Sequence, residues 1–197
     1  MTIKAIVFDL DGVLVDTPEL HYEALNQALG LFGFNISRQD HDSKFNGLPT
    51  RTKLEMLNVD PAIRGLVMEL KQQYTRQAIS KIQPNYQKIM MLRSLSWRYH
   101  LGVASNALQD TCYSILEAAR LDSYFTTVWG GDGVKKTKPD PEIYRKIIKK
   151  LEVQPDQCLV LEDTQYGVQA ALGAGAQCIQ VTYPQVHSGL FVRKGLL

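Results

Sequence analysis

Runs of four to six mostly apolar residues, rich in β-branched and aromatic side chains, recur at residues 3–8, 101–105, 126–129, 158–161 and 178–181. Each is too short to make a helix. Between the later runs, residues 111–119, 141–151 and 165–174 place apolar side chains at steps of three and four, as in Ile143, Ile147, Ile148 and Leu151. That is the period of a helix with one buried face. Strands alternating with helices predict a parallel sheet, because parallel neighbours need a crossover connection.

Residues 9–100 break the rhythm, since a strand, its crossover and the next strand take only about 30 residues. Within that gap, residues 19–31, 50–57, 61–82 and 85–99 have helical patterns. Pro18, Pro61 and Pro84 stand near their starts, and Gly30, Gly33 and Gly47 act as breakers. The pattern predicts a helical subdomain at 18–82 inserted into an α/β core formed by 1–17 and 83–197. The tail, 183–197, has no clear period and receives no assignment.

Composition narrows the class without naming a function. With 45% hydrophobic and 21% charged residues in 197, the chain can bury a sizeable core. A formal charge of +2 gives no field for nucleic acid. No apolar run approaches the roughly 18 residues of a membrane span, and acids interrupt the opening run where a signal peptide would stay apolar. The expectation is a cytoplasmic chain with neither nucleic-acid nor membrane partners. Cys112, Cys158 and Cys178 are odd in number and lack metal-ligand spacing, so neither disulfide nor zinc is expected.

The first apolar run ends in Asp9-Leu10-Asp11-Gly12. Two carboxylates at i and i+2 thus stand where a strand gives way to a loop, the edge at which open α/β sheets bind ligands. Alone, this could be a polar strand end with a Asp-Gly turn. Three more elements fall just after a strand-like run or in the loop that follows one: Ser105-Asn106, Lys138-Pro139 and Glu162-Asp163. Singly they read as a helix cap, a solvated basic run and an acidic helix start. Together, at one edge of a parallel sheet, they are the set that metal-assisted phosphoryl transfer needs. Acids suit a hard divalent cation, a hydroxyl and N–H suit phosphate oxygens, and an ammonium offsets charge.

The segments FDLDGVLVDT, VASNA, KTKPDP and LEDTQYGVQAA resemble the four successive motifs of the haloacid dehalogenase-like hydrolases, and most closely the β-phosphoglucomutase-like phosphatases and mutases. The likeness spans about residues 3–182. It implies a three-layer, Rossmann-like parallel sheet with its first strand central and a helical cap inserted after it. It further implies Asp9 as the nucleophile forming an aspartyl-phosphate and Asp11 as general acid and base. Mg²⁺ would lie on Asp9, the Asp11 carbonyl, Asp163 and, directly or through water, Glu162. Ser105 would hold phosphoryl oxygens, with Gly12 and Asn106 in the substrate-binding set, and Lys138 would pair with Asp9.

In the cap, His21, Gly47 and Arg51 lie where similar proteins face their substrate, whereas Lys71 and Tyr74 match a cap lysine and aromatic only loosely and stay outside the site. The second aspartate argues against dehalogenation, which needs no leaving-group proton. What the resemblance implies is a Mg²⁺-dependent phosphatase of a small phosphorylated metabolite, a sugar phosphate in the first instance, with a sugar phosphomutase as the alternative; a non-catalytic phospho-ligand-binding protein is the remaining reading, against which the retained acids, Ser105 and Lys138 argue.

Overall fold

In the computed structural model, which describes residues 2–197, the run after Lys4 forms β1 (Ala5–Phe8), and the chain then continues through α1 (Pro18–Gly30), α2 (Arg38–Asp40), a π-helical turn (His41–Phe45), α3 (Thr50–Met56) and α4 (Pro61–Ile79). Next come α5 (Tyr86–Ser96), β2 (His100–Ala104), α6 (Gln109–Ala118) and β3 (Thr127–Trp129). The last elements are α7 (Glu142–Lys150), β4 (Cys158–Glu162), α8 (Gln165–Gly173), β5 (Gln177–Gln180) and α9 (Ser188–Arg193). The chain divides into two compact units, Thr17–Ile82 and the residues on either side of it, up to Asp16 and from Gln83.

In the larger unit the five strands are all parallel, in the order β3-β2-β1-β4-β5, with β1 central. Every residue of β1 is buried, as expected of a parallel strand covered on both faces. Alternate side chains go to opposite layers. Ala5 and Val7 join Val160 in a core with Ile143, Tyr144 and Ile147 of α7 and Ala170 of α8. Phe8 instead meets Phe125 edge-on and Phe191 of α9. Helices therefore cover both faces, making three layers, and each fully buried Ile, Leu or Phe contributes about 1.5–3 kcal/mol.

Register decides where the chemistry goes. Phe8 is level with Val103 of β2 and Leu161 of β4, so Asp9, Ser105 and Asp163 all emerge at the carboxyl edge of the sheet.

The smaller unit is held mainly by α1 against α4, around Leu25, Ala28, Leu29, Phe45, Leu54 and Val67. Asn26 ties the following loop to α1, its amide both donating to the Ile36 carbonyl and accepting from the Ile36 N–H, each at 2.9 Å.

Two features depart from the sequence pattern. The unassigned tail contains α9, and α2 with the π-helical turn occupies a stretch for which no element was expected. No helix among the described residues is long and apolar enough to cross a membrane.

Candidate active site

Lys138 is the hub of the charged cluster at the sheet edge. Its side chain is only 3% exposed, and its ammonium donates to Asp9 Oδ1 at 2.6 Å, to the Ala104 carbonyl at 2.9 Å and to Glu162 Oε1. Burial works against its charge, but Asp9 and Glu162 outweigh that and hold it above the ordinary lysine value. A backbone anchor fixes the reach. The Asn106 amide accepts from the Lys138 N–H at 3.0 Å and donates to the Lys138 carbonyl at 3.3 Å.

Asp9 continues the β1 ladder by donating its N–H to Leu161. Burial, and then the nearby Glu162, Asp163 and Asp11 charges, push its carboxyl well above the ordinary range, with Lys138 pulling the other way. Asp163 is pushed up to about 7, by burial first and by Glu162 second. One oxygen from each of Asp9, Glu162 and Asp163 lies within 4.8 Å of the others. With Asp11 alongside, four carboxylates face one ammonium, and a hard divalent cation with a preference for oxygen donors fits that imbalance.

Asp11 lies in the turn after β1. Gly12 makes that turn possible, with φ of +79°, a conformation L side chains rarely adopt. The Asp11 carboxylate accepts from the Ser105 hydroxyl at 3.1 Å, and Ser105 Oγ in turn accepts from the Ala107 N–H at 3.0 Å. The hydroxyl expected on a phosphoryl oxygen is thus directed at Asp11 here.

Glu162 is wholly buried and is gripped by Lys138 and by the hydroxyl of Tyr144, a residue of α7 that the sequence reading did not single out. Burial and the Glu162 charge raise the Tyr144 phenol well above its ordinary value, so it stays a donor. A tyrosine on a fully buried helix face needs a partner for its hydroxyl, and that need was the available clue. Gly167 closes the other side: a Cβ there would stand 1.9 Å from the Glu162 carboxyl carbon. The glycine of the LEDTQYG segment is therefore a space requirement beneath the first turn of α8.

The smaller unit places its own candidates as follows. His21 is half-buried on α1, with Nδ1 3.3 Å from the ammonium of Lys71, which is itself buried on α4. The sequence reading left Lys71 out; the structure sets it against the histidine. Gly47 has φ of +77° after the π-helical turn, and Arg51 is exposed on α3. His41 and Lys53 are both buried in this unit, and burial, then Lys53, holds the His41 imidazole below its ordinary value.

Comparison with known proteins gives concordant findings. The family model described as haloacid dehalogenase-like hydrolase matches residues 6–181. A phosphorylated carbohydrates phosphatase of Thermotoga maritima is 31% identical over 192 residues, covering 94% of this chain and 87% of the relative. A fructose-1-phosphate phosphatase of Escherichia coli is 28% identical over 180 residues, covering 89% and 95%. Among solved structures, a β-phosphoglucomutase from Clostridium difficile superposes with a TM-score of 0.83 at 22% identity, covering 98% of this chain and 97% of that one, a likeness of fold.

Proposed function

The chain belongs to the haloacid dehalogenase-like hydrolases and is a phosphatase or a related phosphomutase; from that premise we propose that it is a Mg²⁺-dependent phosphatase of small sugar phosphates working through an aspartyl-phosphate on Asp9. The observation that carries the reading is the Asp9 carboxylate, held by Lys138 at 2.6 Å on one oxygen, with a second carboxylate, Asp11, in the next turn. The names of the relatives support the substrate class.

The residues divide the work as follows. Lys138 occupies Asp9 Oδ1, which leaves Oδ2 to attack phosphorus in line. As the new P–O bond forms and the bond to the leaving oxygen breaks, Asp11 gives that oxygen its proton. In the second half Asp11 takes a proton from water, whose oxygen attacks phosphorus. The bond to Asp9 then breaks, releasing inorganic phosphate and restoring the free carboxylate. The Ser105 hydroxyl is released from Asp11 to bind a phosphoryl oxygen, and Glu162 keeps Lys138 in place. Mg²⁺, held by Asp9, Asp163 and the Asp11 carbonyl with Glu162 behind them, would draw charge from the phosphoryl oxygens. His21, Gly47 and Arg51 are proposed to recognise the rest of the substrate, with Lys71 as the partner of His21.

Asp163→Ala tests the metal assignment. It should lower phosphate release at least about tenfold and raise the Mg²⁺ concentration for half-maximal rate, since one of few anionic oxygen donors is gone. Unchanged activity with an unchanged magnesium titration would remove Asp163 from the site.

A phosphomutase uses the same Asp9 chemistry, differing in whether water or a sugar hydroxyl is the acceptor. Hydrolysis is favoured because a mutase must grip a second phosphate, and the basic residue next along α3 from Arg51, Lys53, is buried where Arg51 is exposed, so the two do not present a paired grip. Incubation with β-glucose 1-phosphate, Mg²⁺ and a trace of the 1,6-bisphosphate decides the point. Phosphate release without isomerisation is the expected result; rapid glucose 6-phosphate formation with little free phosphate would reverse it.

A further inference from the structure

Lys88 is a lysine in the wrong surroundings. It stands in the first turn of α5, 4% exposed, with no carboxylate among the described residues paired to it. Burial disfavours its charge, and so does the positive end of the helix it helps to start. A methionine or leucine would fill the same space without those costs.

What the ammonium does touch is specific. It donates to the Val13 carbonyl at 3.1 Å and to the Tyr183 carbonyl at 2.8 Å, and it stands 4.3 Å from the centroid of the Tyr183 ring. Both carbonyls and the ring belong to the larger unit. Asn85 completes the arrangement by capping α5 through the Gln87 and Lys88 N–H groups and donating to the Tyr183 hydroxyl at 2.8 Å.

Val13 belongs to the turn that presents Asp11. The Leu14 and Val15 N–H groups donate to Leu10, and the Gly12 N–H donates to Val15. A pull on the Val13 carbonyl therefore acts on the short loop between the two aspartates and α1. We infer that Lys88 is a positioning residue for phosphoryl transfer, its ammonium fastening the Asp11 turn to the tail segment at Tyr183. The inference rests on the reading of Asp11 as the proton-transfer group. It also gives the tail a role, since Tyr183 lies beyond the last strand. Burial lowers Lys88 to about 7, while the two carbonyls and the ring favour its charged form.

The test compares Lys88→Met, Lys88→Gln and Asp9→Asn with wild type on p-nitrophenyl phosphate, each checked for a cooperative melt. Folded Lys88→Met should lose at least about tenfold in kcat with KM within about threefold, because a misaimed Asp11 harms the transition state and not binding. Lys88→Gln keeps a neutral donor and should fall between the two. A Lys88→Met kcat within about twofold of wild type, or a loss confined to KM or proportional to unfolded protein, would overturn the inference. So would Lys88→Gln behaving as wild type or no better than Lys88→Met. Should Lys88→Met not fold, Lys88→Gln decides alone: lowered kcat at constant KM supports the inference, and wild-type kinetics overturns it. Asp9→Asn separates the two levels. If it stays active the underlying reading falls, whereas an inactive Asp9→Asn beside a fully active Lys88→Met sinks only the role of Lys88.

Discussion

Asp9→Asn lowers turnover of a phosphate ester by at least about 10³-fold while the fold survives. The amide has nearly the shape of the carboxylate, and its oxygen can still accept from the Lys138 ammonium that holds Asp9 at 2.6 Å. What disappears is the anionic oxygen that would attack phosphorus. Stability is expected to hold or rise, since burial and three neighbouring carboxylates already oppose the charge on Asp9. The measurement is kcat on a chromogenic ester with a thermal melt of the same preparation, shown free of contaminating phosphatase. Turnover within about tenfold of wild type would remove Asp9 as the nucleophile. A dead enzyme with a collapsed melting transition would instead make Asp9 a structural charge.

Much of the core was legible because parallel strands leave a strong trace. A run such as residues 158–161, apolar throughout and too short for a helix, has few places to go except the middle of a sheet, and it appears within β4. The helix over residues 141–151 was equally plain, since Ile143, Ile147 and Ile148 form one face and lysines the other; they make the buried face of α7. Parallel order then brings polar residues after successive strands to the same edge. That is why the sequence alone puts Asp9, Ser105 and the Glu162-Asp163 pair near one another.

The rest depends on contacts that periodicity does not encode. Tyr144 sits where any apolar residue would satisfy the helical pattern, and only the approach of α7 to β4 brings its hydroxyl to Glu162. Gly167 reads as an ordinary weak helix residue until the Glu162 carboxylate is seen filling the space of its missing side chain. Lys88, at the start of a mixed helix, reads as a solvated lysine, yet the loop after β1 and the tail at Tyr183 close over it. Elements of only a turn or two, such as α2 and α9, are too short to repeat a period at all.

Lys138→Met is the substitution with the largest expected effect on stability, and its pH dependence tests the cause. The change leaves Asp9 and Glu162 buried without the ammonium between them, with Asp163 in the same cluster. Removing one partner of a buried ion pair costs about 3–5 kcal/mol. For a chain of this size that lowers the melting midpoint by about 6–20 °C. Activity should fall at least about 10²-fold, because Asp9 would meet an anionic phosphoryl group with no offsetting charge. Without Lys138, burial and mutual repulsion raise the folded-state pKa of Asp9 and Asp163 further above the unfolded values. Such groups favour the folded state at low pH, and that contribution is lost as pH rises through the folded pKa. The stability gap between wild type and Lys138→Met should therefore be widest near pH 8 and narrow toward pH 5, a range that spans the value of about 7 to which Asp163 is already raised. Urea unfolding of both proteins at the two pH values, with a chelator present so that no metal replaces the missing charge, reads this directly. An equal gap at both would mean that the lysine stabilises the edge by filling space, and that its pairing with Asp9 and Glu162 contributes little.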